Sequence, residues 1–326
     1  EVSEKEKVQA YYEKHHWKIT LKRMLKDWRL YVMLLPLVIV FILWRYLPMY
    51  GLAISFKAYD AGKGILGSNF VGLAGFEQIV KDPLFWRAFR NTFMISFYGM
   101  IFGFPMPIIL ALLFSEVKNQ AYRSVLQILS YLPKFVSAVV VTTLVKLLCS
   151  PETTTYAGGL VTRLLTTIGM IPEGAKLMGD PQYFRAVYQI TGIWEAAGYG
   201  SIVYFAAILA VSPTSYEAAK MDGANKFQQI RYLTIPGILP VIALQLVMNI
   251  TYILDAGFDQ VYAMLSLVPT KTDDEAILGT FIMKLALEEP DVAFTVAMSV
   301  VQGLFALVLM LVGNTFVKKK LGRSLW

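Results

Sequence analysis

Six apolar stretches, each set off by charge, proline or glycine, dominate the chain at residues 30–56, 91–114, 125–148, 187–211, 236–256 and 292–316. A hydrocarbon layer about 30 Å thick needs roughly 20 apolar residues per helical crossing, and every stretch meets that length. None shows the period-two alternation of a barrel strand, so the pattern predicts an all-α membrane protein with six transmembrane helices. The longest intervening loops, 57–90, 149–186 and 257–291, have room for a short helix but not for a soluble domain. The expected organisation is a leading segment 1–29, one membrane domain over 30–316, and a tail 317–326.

Composition agrees with lipid as the solvent. The chain is 56% hydrophobic and 16% charged, with a mean hydropathy of +0.53, richer in apolar residues than a typical water-soluble domain. The net charge of +7 gathers beside membrane ends, where anionic headgroups attract lysine and arginine, so no nucleic-acid partner is implied. Short loops rich in these residues stay cytoplasmic. Lys5, Lys7, Lys14, Lys18, Lys22, Arg23, Lys26 and Arg29 precede the first stretch, and Lys318, Lys319, Lys320 and Arg323 follow the last. Both termini are therefore expected in the cytoplasm, together with Lys118, Arg123, Lys220, Lys226 and Arg231. The three long loops, which carry Asp273, Asp274, Glu275, Glu288 and Glu289, fall outside. Residues 11–28 mix Trp17, Ile19, Leu21, Met24, Leu25 and Trp28 with lysines, as in a helix lying in the interface. The first apolar stretch is too long for a secretory signal and lacks a small-residue cleavage site, so it is expected to remain as a span.

Catalytic chemistry is scarce. Cys149 is the sole cysteine, so no internal disulfide or cysteine-based metal site can form, and the two histidines, His15 and His16, lie in the charged leading segment. There is no glycine-rich phosphate loop ending in Gly-Lys-Ser/Thr and no metal-ligand spacing. The chain reads as a non-enzyme without a cofactor of its own.

The most informative segment is 212–240, between the fourth and fifth stretches. Pro213 fits a first helical turn, and Ser212, Thr214 and Ser215 can cap free N–H groups. A helix over 216–221 is expected to end at Gly223, which takes backbone angles that other residues resist. A second short helix over 225–233 would place Phe227, Ile230 and Leu233 on one face, with Pro236 opening the fifth span. The unit is helix, turn, helix.

Glu217, Ala218 and Ala219, followed by Asp222, Gly223 and Ala224, then Ile235-Pro236 and Leu239-Pro240, resemble the coupling loop of ATP-binding-cassette (ABC) importer permeases, whose pattern is Glu-Ala-Ala, a glycine four residues later, and Leu-Pro. Here Ile235-Pro236 stands where Leu-Pro is usual, and Leu239-Pro240 follows one helical turn later. The resemblance extends over nearly the whole chain: Tyr46 to Gly51, Ser55 to Lys57, Phe70 to Leu73 with Phe76, Phe85 to Thr92, and Tyr131-Leu132-Pro133 are similar to Gram-positive oligosaccharide and polysaccharide permeases. It implies the type I ABC importer permease fold. It further implies that this loop docks on an ATPase, that two ATPase subunits elsewhere bind ATP and magnesium, that a second, related permease completes the pore, and that an extracellular binding protein delivers carbohydrate.

Polar groups within spans cost about 2.5–3.5 kcal/mol on insertion scales when ionised, which draws attention to Glu195 and Asp255. Helical spacing puts Glu195, Tyr199 and Ile202 on one face with Trp194 adjacent, and Met248, Tyr252 and Asp255 on another with Asn249 beside them. Aromatic faces stack on sugar rings and carboxylates or amides bond hydroxyls, so Trp194, Glu195, Tyr199, Asn249, Tyr252 and Asp255 are candidates for the substrate path. Two alternatives stand open. The carboxylates can instead pair with Lys134, Lys146 or Arg45 to hold helices together, or serve as ion sites in a secondary transporter or channel.

Overall fold

The computed structural model describes residues 17, 24–152, 158–251, 258–266, 277–288 and 291–321. The chain divides into two compact units, 1–72 and 73–326. In the first, helix α1 (Trp28–Phe56) has Pro36 in its interior. A π turn over Ile42–Tyr46 lies just before Pro48, whose ring removes one backbone donor. Strands β1 (Lys57–Ala58) and β2 (Asn69–Phe70) then pair antiparallel, Lys57 opposite Phe70. Lys57 Nζ donates to the Ile65 carbonyl at 2.6 Å, closing the intervening loop.

The second unit holds helices α2 (Ala74–Lys81), α3 (Pro83–Glu116), α4 (Gln120–Tyr131), α5 (Ala138–Leu148), α6 (Leu160–Thr167), α7 (Pro181–Leu209), α8 (Pro213–Met221), α9 (Lys226–Ile250), α10 (Phe258–Ser266), α11 (Leu278–Glu288) and α12 (Val292–Leu321). Of all these, α1, α3, α7, α9 and α12 are long and apolar enough to cross a membrane. The sixth crossing is broken. Residues 120–135 and 138–148 pass the same test together but meet at 101°, whereas sequence predicted one continuous span over 125–148. The break has a local cause. Pro133 starts a 3-10 turn (Leu132–Phe135), Val136 is extended, and Ser137 caps α5 by accepting from Val140 N–H.

Among the described residues four apolar clusters hold the unit together, the smallest of them Ala243, Val247 and Val317 between α9 and α12. Val141, Val145, Phe184, Tyr188, Val261 and Met264 join α5, α7 and α10; Phe85, Ala88, Leu278, Phe281 and Met298 join α3, α11 and α12; Ala111, Tyr204, Ile208 and Ile238 join α3, α7 and α9. Buried Thr92 donates to the Ala88 carbonyl and accepts from Leu278 N–H, both at 2.8 Å, pinning the start of α11 to α3. Helix α7 is central, packing on α3, α4 and α9. At Gly198 the approach of α4 is so close that a Cβ would overlap the Ser130 carbonyl. Replacing Gly198 by Val should therefore force α4 off α7, destabilising the protein by about 1–3 kcal/mol as overpacking does. The expected result is a lowered thermal midpoint of the detergent-solubilised protein, compared with a control Gly303→Val, where the added Cβ meets nothing within 4 Å.

Candidate functional site: a polar cavity joined to a helical hairpin

Between α3, α7 and α9 lies a cavity of about 530 Å³ whose lining includes Ser96, Gln189, Tyr199, Gln245 and Asn249. Small residues make the space, among them Gly99, Gly103, Gly192 and Gly200. Tyr199 is half-exposed, with its ring edge-on to Phe135 at 5.9 Å. Gln189 Nε2 donates to the Ile95 carbonyl at 2.5 Å and Asn249 Nδ2 to the Gln245 carbonyl at 2.9 Å. The Ser96 hydroxyl is buried without a partner, as is Nε2 of Gln260, whose Oε1 lies 3.6 Å from where a Cβ on Gly192 would stand. An unpaired buried polar group costs about 1–3 kcal/mol; of the two, Ser96 belongs to the cavity lining and Gln260 does not.

The candidate path residues separate. Tyr199 and Asn249 line this cavity together, while Trp194 lines a second, apolar cavity of about 560 Å³ with Cys149 and Val187. Glu195 lines neither and bonds Lys134 Nζ at 3.1 Å; this is the helix-holding alternative at that position. Tyr252 and Asp255 lie outside the described residues. Gln189 and Gln245 escaped sequence reading because a single amide in an apolar stretch is an everyday packing residue until its neighbours are known; four-residue steps from Gln189 to Ile193 and from Gln245 to Asn249 were the available signal.

Below the cavity, α8 and the start of α9 form a hairpin. Ser212 does not cap α8, since its hydroxyl is engaged by Thr214 at 2.7 Å, and Pro213 alone supplies the first-turn signal. The helix ends in a Schellman motif, with Gly223 N–H donating to the Lys220 carbonyl and Ala224 N–H to Ala219, while Gly223 sits at φ +79°. Asn225 and Gln228 make a reciprocal capping box. The expected second short helix is not separate. It runs through a π turn at Ile230–Thr234 straight into the fifth crossing as α9, because Pro236 and Pro240 interrupt backbone bonding without ending the helix. Glu217, Ala218, Asp222 and Gly223 are exposed, Ala219 and Ala224 half-buried, and Met221 and Phe227 stand 89% and 70% exposed.

Three side-chain links tie the hairpin to the bundle. Tyr216 and Thr234 hydroxyls meet at 2.9 Å, Gln229 Nε2 donates to the Ala224 carbonyl at 2.9 Å, and Lys226 pairs with Glu116 at the end of α3 at 2.7 Å. Two of these links close α8 and its turn onto α9 and the third joins α9 to α3, while α7 leads into α8 along the chain.

This fold, with its broken crossing and exposed hairpin before the fifth helix, defines a permease of the type I ABC importer fold. Residues 103–319 match the family described as binding-protein-dependent transport system inner membrane component, and the chain belongs to it. Its role there is that of the membrane permease, the ATPase being a separate subunit. Among relatives, the polygalacturonan/rhamnogalacturonan transport system permease protein YteP of Bacillus subtilis (strain 168) is 35% identical over 308 residues, 94% of this chain and 93% of its own length. Protein LplB of the same organism is 31% identical over 303 residues, covering 93% and 92%. A solved bacterial ABC transporter involved in the import of the acidic polysaccharide alginate holds a chain that matches 92% of this one and 99% of itself, with a TM-score of 0.81 and 35% identity. The same score and identity are found with a bacterial alginate ABC transporter in complex with an alginate pentasaccharide-bound periplasmic protein.

The Lys134–Glu195 pair yields a stability prediction. Lys134→Met should strand a mostly buried carboxylate, and pairing it with Glu195→Leu should recover stability. A double-mutant cycle on thermal unfolding is expected to give a coupling of about 1 kcal/mol, within the range of interhelical bonds in membranes.

Proposed function

We propose that this chain forms half of the translocation path for an oligosaccharide, driven by a separate ATPase through the contact segment Glu217, Ala218, Ala219, Asp222, Gly223 and Ala224. The observation that carries the proposal is the three-link attachment of the exposed hairpin to the helices around the cavity. A push on α8 reaches α9 and, through Lys226 and Glu116, α3 by bonded neighbours, and α7 along the chain, so nucleotide-driven movement outside the membrane alters the space between them. Small residues at Ala218 and Ala219 permit close seating in a groove, and Glu217, exposed and unpaired among the described residues, offers a charge to a partner's lysine or arginine.

The cargo assignment is supported by the names of YteP, a polygalacturonan/rhamnogalacturonan permease, and of the alginate importers, and by the amide-rich and aromatic lining. In the proposed assembly a second related permease completes the pore, two ATPase subunits bind ATP and magnesium, and an extracellular binding protein delivers the sugar. Both termini and the hairpin face the cytoplasm. The secondary-transporter alternative loses ground because Glu195 is engaged by Lys134.

Two experiments test this. In the purified complex, Gly223→Val should strain a left-handed backbone position by about 1–3 kcal/mol, Ala219→Trp should obstruct seating, and Glu217→Lys should reverse the contact charge. Each is expected to abolish sugar-stimulated ATPase activity and uptake while leaving membrane insertion intact; wild-type coupling in all three variants would reject the contact. For orientation, a cysteine at Asn225 should react with a membrane-impermeant thiol reagent only after lysis. The native Cys149 is buried and gives a low background.

A further inference from the structure

One group a helical turn outside the cavity lining is unused by the coupling scheme. Arg185 lies one helical turn before Gln189 on α7, and Asn91 one turn before Ile95 on α3, so two cross-helix bonds are stacked about 5.4 Å apart. The inner rung is Gln189 to Ile95 at the cavity wall; the outer rung is Arg185 Nη2 donating to Asn91 Oδ1 at 2.9 Å. Asn91 is 4% exposed, which fixes the guanidinium in place, while Arg185 itself is only half-buried. A guanidinium offers five donors in a planar fork matched to a carboxylate. Here one donor meets a neutral amide, and no carboxylate among the described residues pairs with it.

The surrounding charge points the same way. The lining of the cavity contains no Asp or Glu, and Glu195 further along α7 is neutralised by Lys134. An anion moving along α7 therefore meets a cation that no carboxylate among the described residues pairs, and then polar walls that do not repel it. A neutral sugar needs none of this, since hydroxyls are served equally well by amides.

We propose that Arg185, held by Asn91 a helical turn outside the α3/α7 cavity, is the residue through which this permease favours carboxylate-bearing sugars, binding a uronate carboxylate as the chain enters. This deepens the carbohydrate proposal above and rests on it. Arg185 is a specificity determinant under this assignment, and Asn91 is a positioning residue acting through it.

The test uses the complete importer in cells with one unaltered binding protein. Uptake of a galacturonate trimer is compared with that of the same trimer partly methyl-esterified, and the ratio is taken within each variant so that differences in protein amount cancel. Arg185→Gln removes the charge and should lower the free-acid to ester ratio about tenfold, the factor commanded by one charge-assisted hydrogen bond. Asn91→Asp gives Arg185 an internal carboxylate; it should preserve or tighten the clamp between α3 and α7 yet depress the ratio similarly, because the guanidinium is already occupied. Arg185→Lys should fall between wild type and Arg185→Gln. An unchanged ratio in Arg185→Gln and Asn91→Asp would reduce Arg185 to a structural clamp and overturn the proposal while leaving carbohydrate transport intact. A wild-type importer that carries neither trimer would instead refute the carbohydrate assignment, and this proposal with it.

Discussion

The contact on which the described architecture depends is the backbone approach of α4 to α7 at Ser130 and Gly198, where the absence of a side chain lets one helix lie against the other. Small residues at such crossings are the means by which membrane helices associate, since lipid supplies no hydrophobic drive between them. With α4 seated there, Lys134 comes within reach of Glu195 and Phe135 of Tyr199. Four residues further along α4 than Ser130 the chain must turn, and Pro133 and Ser137 provide the stop and the restart. The 101° break is a consequence of these neighbours, and it frees α5 to pack on α10 instead of continuing the crossing.

A second constraint is the satisfaction of polar groups where water is excluded. Most are spent on the fold: Thr92 on the start of α11, Gln229 on the hairpin, Glu195 on Lys134. Among the described residues four buried polar atoms stay unpaired, on Ser96 in the cavity lining, Thr142 on α5, Thr162 on α6 and Gln260 on α10. In the hairpin the end of α8 is closed by the Schellman bonds at Gly223 and Ala224 and the start of α9 by the capping box of Asn225 and Gln228.

Much of the fold was legible in the chain. Five of the six stretches read from apolar length recur as single long helices, and Gly223 announced its positive-φ turn because a helix preceding Asp-Gly-Ala has little else to end it. The Glu-Ala-Ala segment could be read because it is contiguous: Glu217 to Ala224 occupies a single hairpin, and local hydrogen bonds decide its form. The broken crossing was less legible, since apolar content does not register direction, and the Pro133 signal looked like the many prolines that spans tolerate.

Sequence determined by itself what depends on solvent transfer and on local backbone chemistry: six crossings, the helical class, and the hairpin turn. Only the tertiary structure decided the roles of polar residues within the spans. It divided Trp194 from Tyr199 though they are five positions apart, assigned Glu195 to Lys134 across 61 residues, and joined Arg185 to Asn91 across 94. The reason is physical: a side chain's place on a helix follows from the 3.6-residue repeat, but what it faces depends on which helix packs there, and that is set by long-range contacts such as the one at Gly198.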